Sequence, residues 1–129
     1  MNAVQVSQHQ AVGSEDSIAR RLLPMYTTMV RIRAFEERVA TLVEQGQIHT
    51  PCHLYIGQEA VAAGVCAALE RSDTVWGNHR SHGHYLAKGG DLRAMMAEIF
   101  CRKTGCSGGR GGFKRPSSTW PNSSSTTWS

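Results

Sequence analysis

Thr74-Val75-Trp76-Gly77-Asn78-His79-Arg80-Ser81-His82-Gly83-His84-Tyr85 is the stretch on which the fold turns. Its first three residues are a β-branched and aromatic run of the length used for an interior strand. The run empties directly into a polar segment dense in ionisable donors. A strand ending in such a loop is where α/β folds put their ligand sites. That pattern is compatible with the α/β class, mostly helical in the part present.

Upstream, Ser72-Asp73 makes the turn into the strand, and Gly57 to Leu69 reads as a helix whose side chains are almost all small. Such a surface lets a neighbour approach the backbone closely, so this helix is expected to be buried. Further upstream, Met25, Met29, Ile32, Phe35, Val39, Leu42 and Val43 recur at three and four residues, the helical period. Arg31, Arg33, Glu36, Glu37 and Arg38 fill much of the other face. Pro24 belongs in the first turn or at a bend, and Gly46 is a suitable stop. Residues 1–17 are polar and aperiodic and read as a flexible arm; residues 47–56 are a connection.

Downstream, Asp91 is a good N-cap for a helix from Leu92 to Phe100, with Met95, Met96, Ile99 and Phe100 facing a core. Gly105 to Gly112 holds five glycines, a loop able to bring backbone N–H groups against an anion. From Phe113 the character breaks. Residues 117–129 contain six Ser, three Thr and two Trp with no aliphatic side chain, and residues 113–129 are assigned no fold.

The chain of 129 residues is 40% hydrophobic, enough for one modest domain or a piece of one. No apolar run approaches the roughly 18 residues that span a bilayer, and the first residues lack a signal pattern. No membrane association is expected, and the default address is cytoplasmic. The net charge of +4 comes from the tail: residues 1–100 carry 9 basic and 10 acidic side chains, residues 101–129 carry 5 basic and none acidic. Without a basic stripe on a predicted element, nucleic acid is not an expected partner. The cysteines at 52, 66, 101 and 106 have no disulfide-scaffold spacing, and Cys66 reads as a small core hydrophobe.

Five of the six histidines fall between 49 and 84, and three readings compete for them. His79, His82 and His84, with Cys52 or His53, could make a small His-rich metal-binding module, although the spacing matches no standard zinc ligand set. Alternatively, His79, Arg80 and Ser81 are donors for an anionic cofactor, with Gly83 letting the backbone come close. Arginine's planar fork suits two phosphate oxygens. The third reading is a polar loop that satisfies its own backbone. Glu59 reads as a first-turn acid favouring a helix N-terminus.

The residues also carry a resemblance. Four blocks, Met29 to Arg38, Cys52-His53-Leu54-Tyr55-Ile56-Gly57-Gln58-Glu59-Ala60, Trp76 to Gly89, and Gly105 to Gly112, closely resemble the alpha subunit of thiamine-diphosphate-dependent dehydrogenases acting on pyruvate, branched-chain 2-oxo acids or acetoin. Their order across residues 20–112 is far more specific than any single motif. The resemblance implies an N-terminal fragment of a thiamine-diphosphate-binding fold, here a partial domain over 18–112. It implies oxidative decarboxylation of a 2-oxo acid such as pyruvate, or acetoin cleavage, with acyl transfer to a lipoyl group. Thiamine diphosphate and magnesium are the implied cofactors. The implied partners are a beta subunit, in a heterotetramer, and a lipoyl-bearing acyltransferase.

Carried over by position, His79 and Arg80 look like the diphosphate-holding pair, with Gly83 beside them, and His53 and His82 match the family's catalytic histidines. Many relatives have Tyr where His79 stands. The family's magnesium-binding Gly-Asp-Gly segment is absent, so no metal ligand is assigned in this chain. Loss of the pattern at Phe113 leads to the expectation of a truncated product with a tail from a frame shift or foreign junction, inactive alone.

Overall fold

The computed structural model describes residues 11–110 and 126–128. Helix α1 runs Ala11–Glu44, α2 Glu59–Ala67, α3 His82–Ala87 and α4 Leu92–Ile99; strand β1 is Val75–Gly77 and β2 is Thr126–Trp128.

Helix α1 begins seven residues before Ile18, so residues 11–17 of the expected arm are helical; residues 1–10 lie outside the described residues. Pro24 lies inside the helix, not in its first turn. Just beyond it the Thr27 and Thr28 hydroxyls donate to the Leu23 and Pro24 carbonyls, at 2.8 and 2.9 Å. Ile32, Phe35, Val39 and Leu42 form the buried stripe that the period predicts, whereas Val43 is exposed. The helix closes as a Schellman motif. Gly46, at φ +67°, donates to Val43, and Gln47 donates to Leu42.

The small-residue helix α2 is buried on one face only. Glu59, Ala62 and Ala63 are covered, but Val61 and Val65 are 60% and 54% exposed, which corrects the expectation of a wholly buried helix. Its covered face packs against α1 and α3, and the Met25 methyl lies 3.9 Å from where a Cβ on Gly64 would stand, an ordinary contact.

The expected polar loop after β1 contains α3, which residue pattern did not announce: His82-Gly83-His84 has little helical propensity, and the helix forms because Gly83 and Leu86 are buried. Helix α4 starts as expected at Asp91, whose Oδ1 accepts the Ala94 N–H at 2.7 Å. Met95 and Ile99 join Ile48, Tyr55, Ala62, Leu86 and the α1 stripe in one core.

Strand β1 pairs antiparallel with β2, Val75 opposite Trp128 and Gly77 opposite Thr126. Trp76 is 65% exposed, so among the described residues β1 is not the interior strand its composition suggested. Residues 126–128, left without an element in the sequence reading, form this partner because Thr-Thr-Trp is itself β-prone; the tail's other residues, 113–125 and 129, lie outside the described residues. The described part is mostly helical, and no helix in it is long and apolar enough to cross a membrane.

Candidate functional site

The site is built by fastening the 47–56 connection to the segment that follows β1. The Thr50 hydroxyl donates to the Ile99 carbonyl at 3.0 Å, holding one end of the connection on α4. The other end is held by Tyr55, a buried ring that lies where a Cβ on Gly83 would be. Only glycine lets α3 and this ring meet, so the structure gives Gly83 a packing task. Burial pushes the Tyr55 phenol above its usual range.

With the two segments locked, residues 26 positions apart face each other. The His53 and His79 rings meet edge to face, centroids 4.6 Å apart at 75°. Arg80 Nη1 donates to the Leu54 carbonyl at 3.1 Å, and the Arg80 backbone N–H donates to Asn78 Oδ1 at 3.0 Å, tightening the turn. Both imidazoles are exposed and Arg80 is half-buried. Arg80 makes no ion pair among the described residues. Two imidazoles beside a guanidinium with no carboxylate partner form a donor set that fits an anionic, diphosphate-bearing group.

His82 is brought elsewhere. Its Nδ1 lies 3.0 Å from Oε1 of Glu36, a fully buried carboxylate on α1, with Phe35 edge-on to the ring. Oε2 of Glu36 is buried with no hydrogen-bond partner. His84 stacks edge-on against Tyr55, centroids 5.4 Å apart, and its Nδ1 is likewise buried and unpartnered. The three histidines of the 79–84 segment thus turn toward three different neighbours. No group of three or more His, Cys, Asp or Glu among the described residues is arranged to hold a metal ion, which removes the geometric basis of the metal-module reading.

Glu36 is the residue the sequence reading missed. Its charge suggests the polar face of α1, yet it follows Ile32 by four positions and precedes Val39 by three, which places it on the buried stripe. That spacing was available as a signal. A charged residue on an apolar helical face needs a partner, and a histidine is the partner here.

Glu59 stands in the first turn of α2, as read, and does more than favour the helix end. Its carboxylate accepts the Gly57 N–H at 3.1 Å and Arg33 Nε at 2.6 Å. The Arg33 guanidinium holds the Glu59 carboxyl below the usual carboxylate range.

The glycine-rich loop also binds an anion, but an internal one. Oε2 of Glu98 accepts the Ser107 and Gly109 N–H groups, both at 2.8 Å, with Gly108 and Gly109 at φ +68° and +75°. Gly105 passes so close to α4 that a Cβ would lie 2.6 Å from the Glu98 Cα.

Comparison with known proteins places these features in context. The family model described as "Dehydrogenase E1 component" matches residues 27–126. The chain is 51% identical over 92 residues to the alpha subunit of acetoin:2,6-dichlorophenolindophenol oxidoreductase from Bacillus subtilis, covering 71% of this chain and 28% of that protein. It is 50% identical over 99 residues to the pyruvate dehydrogenase E1 component subunit alpha of Zymomonas mobilis, covering 76% of this chain and 28% of that protein. A second acetoin:2,6-dichlorophenolindophenol oxidoreductase alpha subunit, from Cupriavidus necator, is 42% identical over 107 residues, covering 79% of this chain and 32% of that protein. The chain thus spans about a third or less of the length of these relatives. No solved structure matches it.

Proposed function

The chain belongs to the dehydrogenase E1 component family, and on that premise we propose that it supplies part of the coenzyme site of an alpha subunit that oxidatively decarboxylates a 2-oxo acid such as pyruvate, or cleaves acetoin, passing the acyl group to a lipoyl arm. The α/β thiamine-diphosphate-binding fold belongs to the same proposal. So do a beta-subunit partner in a heterotetramer and a lipoyl-bearing acyltransferase. The names of the relatives support the pyruvate and acetoin classes.

The observation that carries the reading is the exposed His53–His79 pair beside Arg80, a guanidinium with no carboxylate partner. Arg80, held by Leu54 through one nitrogen, keeps the rest of its fork for phosphate oxygens, and His79 adds a neighbouring donor. Gly83 contributes by seating Tyr55 and hence the turn that carries His53 and Leu54. When bound, thiamine diphosphate supplies the electron sink that decarboxylation of a 2-oxo acid requires. His53 is assigned to the developing oxyanion, where a fixed donor stabilises charge as it forms. His82 is assigned to moving a proton, a task for which its ring is oriented from behind by Glu36. Magnesium belongs to the proposal as the diphosphate's counter-ion; this chain's described residues supply no ligand group for it.

Calorimetric titration with thiamine diphosphate and magnesium tests the reading, with the 129-residue chain alone and together with a beta subunit. Binding is expected with the beta subunit present. Arg80→Ala should weaken it roughly tenfold or more, since a hydrogen bond to a charged group contributes about 1.5–3 kcal/mol. Undiminished affinity in Arg80→Ala would overturn the assignment.

A further inference from the structure

We propose that Glu36 is the positioning residue of His82: its carboxylate accepts the Nδ1–H proton, fixing both the ring plane and the tautomer, so that Nε2 is left as the lone-pair acceptor. The catalytic meaning of this rests on the assignment of His82 under the proposed function, whereas the tautomer itself does not.

Glu36 is 0% exposed and its Oε1 lies 3.0 Å from His82 Nδ1. The two residues are 46 positions apart, on α1 and at the first residue of α3, so packing of separate elements creates the contact. Phe35, adjacent on α1, closes one side of the ring edge-on at 6.4 Å. The ring is therefore held on two sides and is only 14% exposed.

A buried carboxylate is expensive, and this one is poorly compensated, because Oε2 has no hydrogen-bond partner. A side chain serving α1 alone could be apolar at this position, as Ile32, Phe35 and Val39 are. Replacing buried charged groups by apolar residues of similar volume is often neutral or stabilising. A cost of this kind, set against one imidazole nitrogen, is the arrangement that orients histidines in acid–base sites. The carboxylate holds the tautomer and does not itself move the proton. An ionised carboxylate only accepts, so the shared proton resides on Nδ1 and the lone pair is left on Nε2.

The test is the ring-nitrogen tautomer of His82 in the full chain, read from long-range 15N–1H correlation spectra of the neutral imidazole and assigned through the signal lost in His82→Asn. In the wild-type chain Nδ1–H is expected as the major form. Glu36→Gln keeps an acceptor oxygen and should keep that form. Glu36→Met removes the acceptor and should lose it, returning His82 to the Nε2–H form that an unrestrained imidazole prefers. Nε2–H as the major wild-type form would mean that Glu36 carries the proton, and would overturn the proposal without any variant having to fold. An unchanged Nδ1–H form in Glu36→Met would also overturn it. Failure of the coenzyme titration alongside the expected tautomer would sink the function reading and leave the positioning role of Glu36 standing.

Discussion

A methyl group added at Gly83 would occupy space already filled by the Tyr55 ring. The ring is a core residue and cannot swing into solvent, so Gly83→Ala is expected to destabilise the chain by roughly 1–3 kcal/mol, the usual cost of overpacking. The urea-denaturation midpoint reads that loss directly. Glu59 offers a prediction with a sign in pH. Its folded pKa is depressed, chiefly by the Arg33 hydrogen bond. The stability so contributed is fully present above the unfolded carboxylate value of about 4.3 and is lost as pH falls through the lower folded value. The difference in urea midpoint between the wild-type chain and Glu59→Gln should therefore shrink as pH is lowered from about 5 to 3; a constant difference would count against the ion pair. At this scale much was legible. That His53, His79 and Arg80 belong to one site is proposed from the resemblance of the blocks around them, and residue type adds support for His79 and Arg80. Their mutual contact is not legible, because it depends on Tyr55 and Gly83 meeting across 28 positions. Glu36 is hard to read because a carboxylate marks solvent by residue type, whereas its place in the helical repeat puts it inside.

Among the elements, α4 and the glycine-rich loop are coupled through one carboxylate. Glu98→Ala would leave the Ser107 and Gly109 N–H groups without their acceptor. A loss of about 2 kcal/mol or more is expected, together with faster amide hydrogen exchange at both positions. At the opposite end of the same helix, Asp91→Ala removes the N-cap and should cost about 1 kcal/mol, read as a lowered thermal midpoint. Strong local signals carry the start of α4 and the core half of α1: a capping aspartate for the one, an apolar repeat and a glycine at the stop for the other. Helix α3 had no such signal. It is six residues long and begins His-Gly-His, so it forms only where Gly83 and Leu86 find the core. Strand β2 has no such signal for a related reason, since three residues with no period of their own depend on pairing, here with β1.

For the molecule as a whole, burial sorts the cysteines. Cys101 is exposed, whereas burial, with Glu98 nearby, pushes the Cys106 thiol up to about 11. Alkylation of the folded chain at about pH 8 should label Cys101 well before Cys106, because the thiolate is the reactive form. Mass spectrometry of the labelled peptides distinguishes the two. The long first helix has a consequence of another kind. Among its described side chains, its grip on the rest of the protein begins with the half-buried Met25, whereas Ile18, Leu22 and Leu23 are exposed. Pro24 cannot donate the backbone bond expected at that point, so residues 11–23, the described part before it, form a helical rod sustained by its own hydrogen bonds. A protease specific for basic residues would find its earliest opportunity at Arg20 and Arg21, and the remaining body, with every histidine from 49 to 84, would survive the cut.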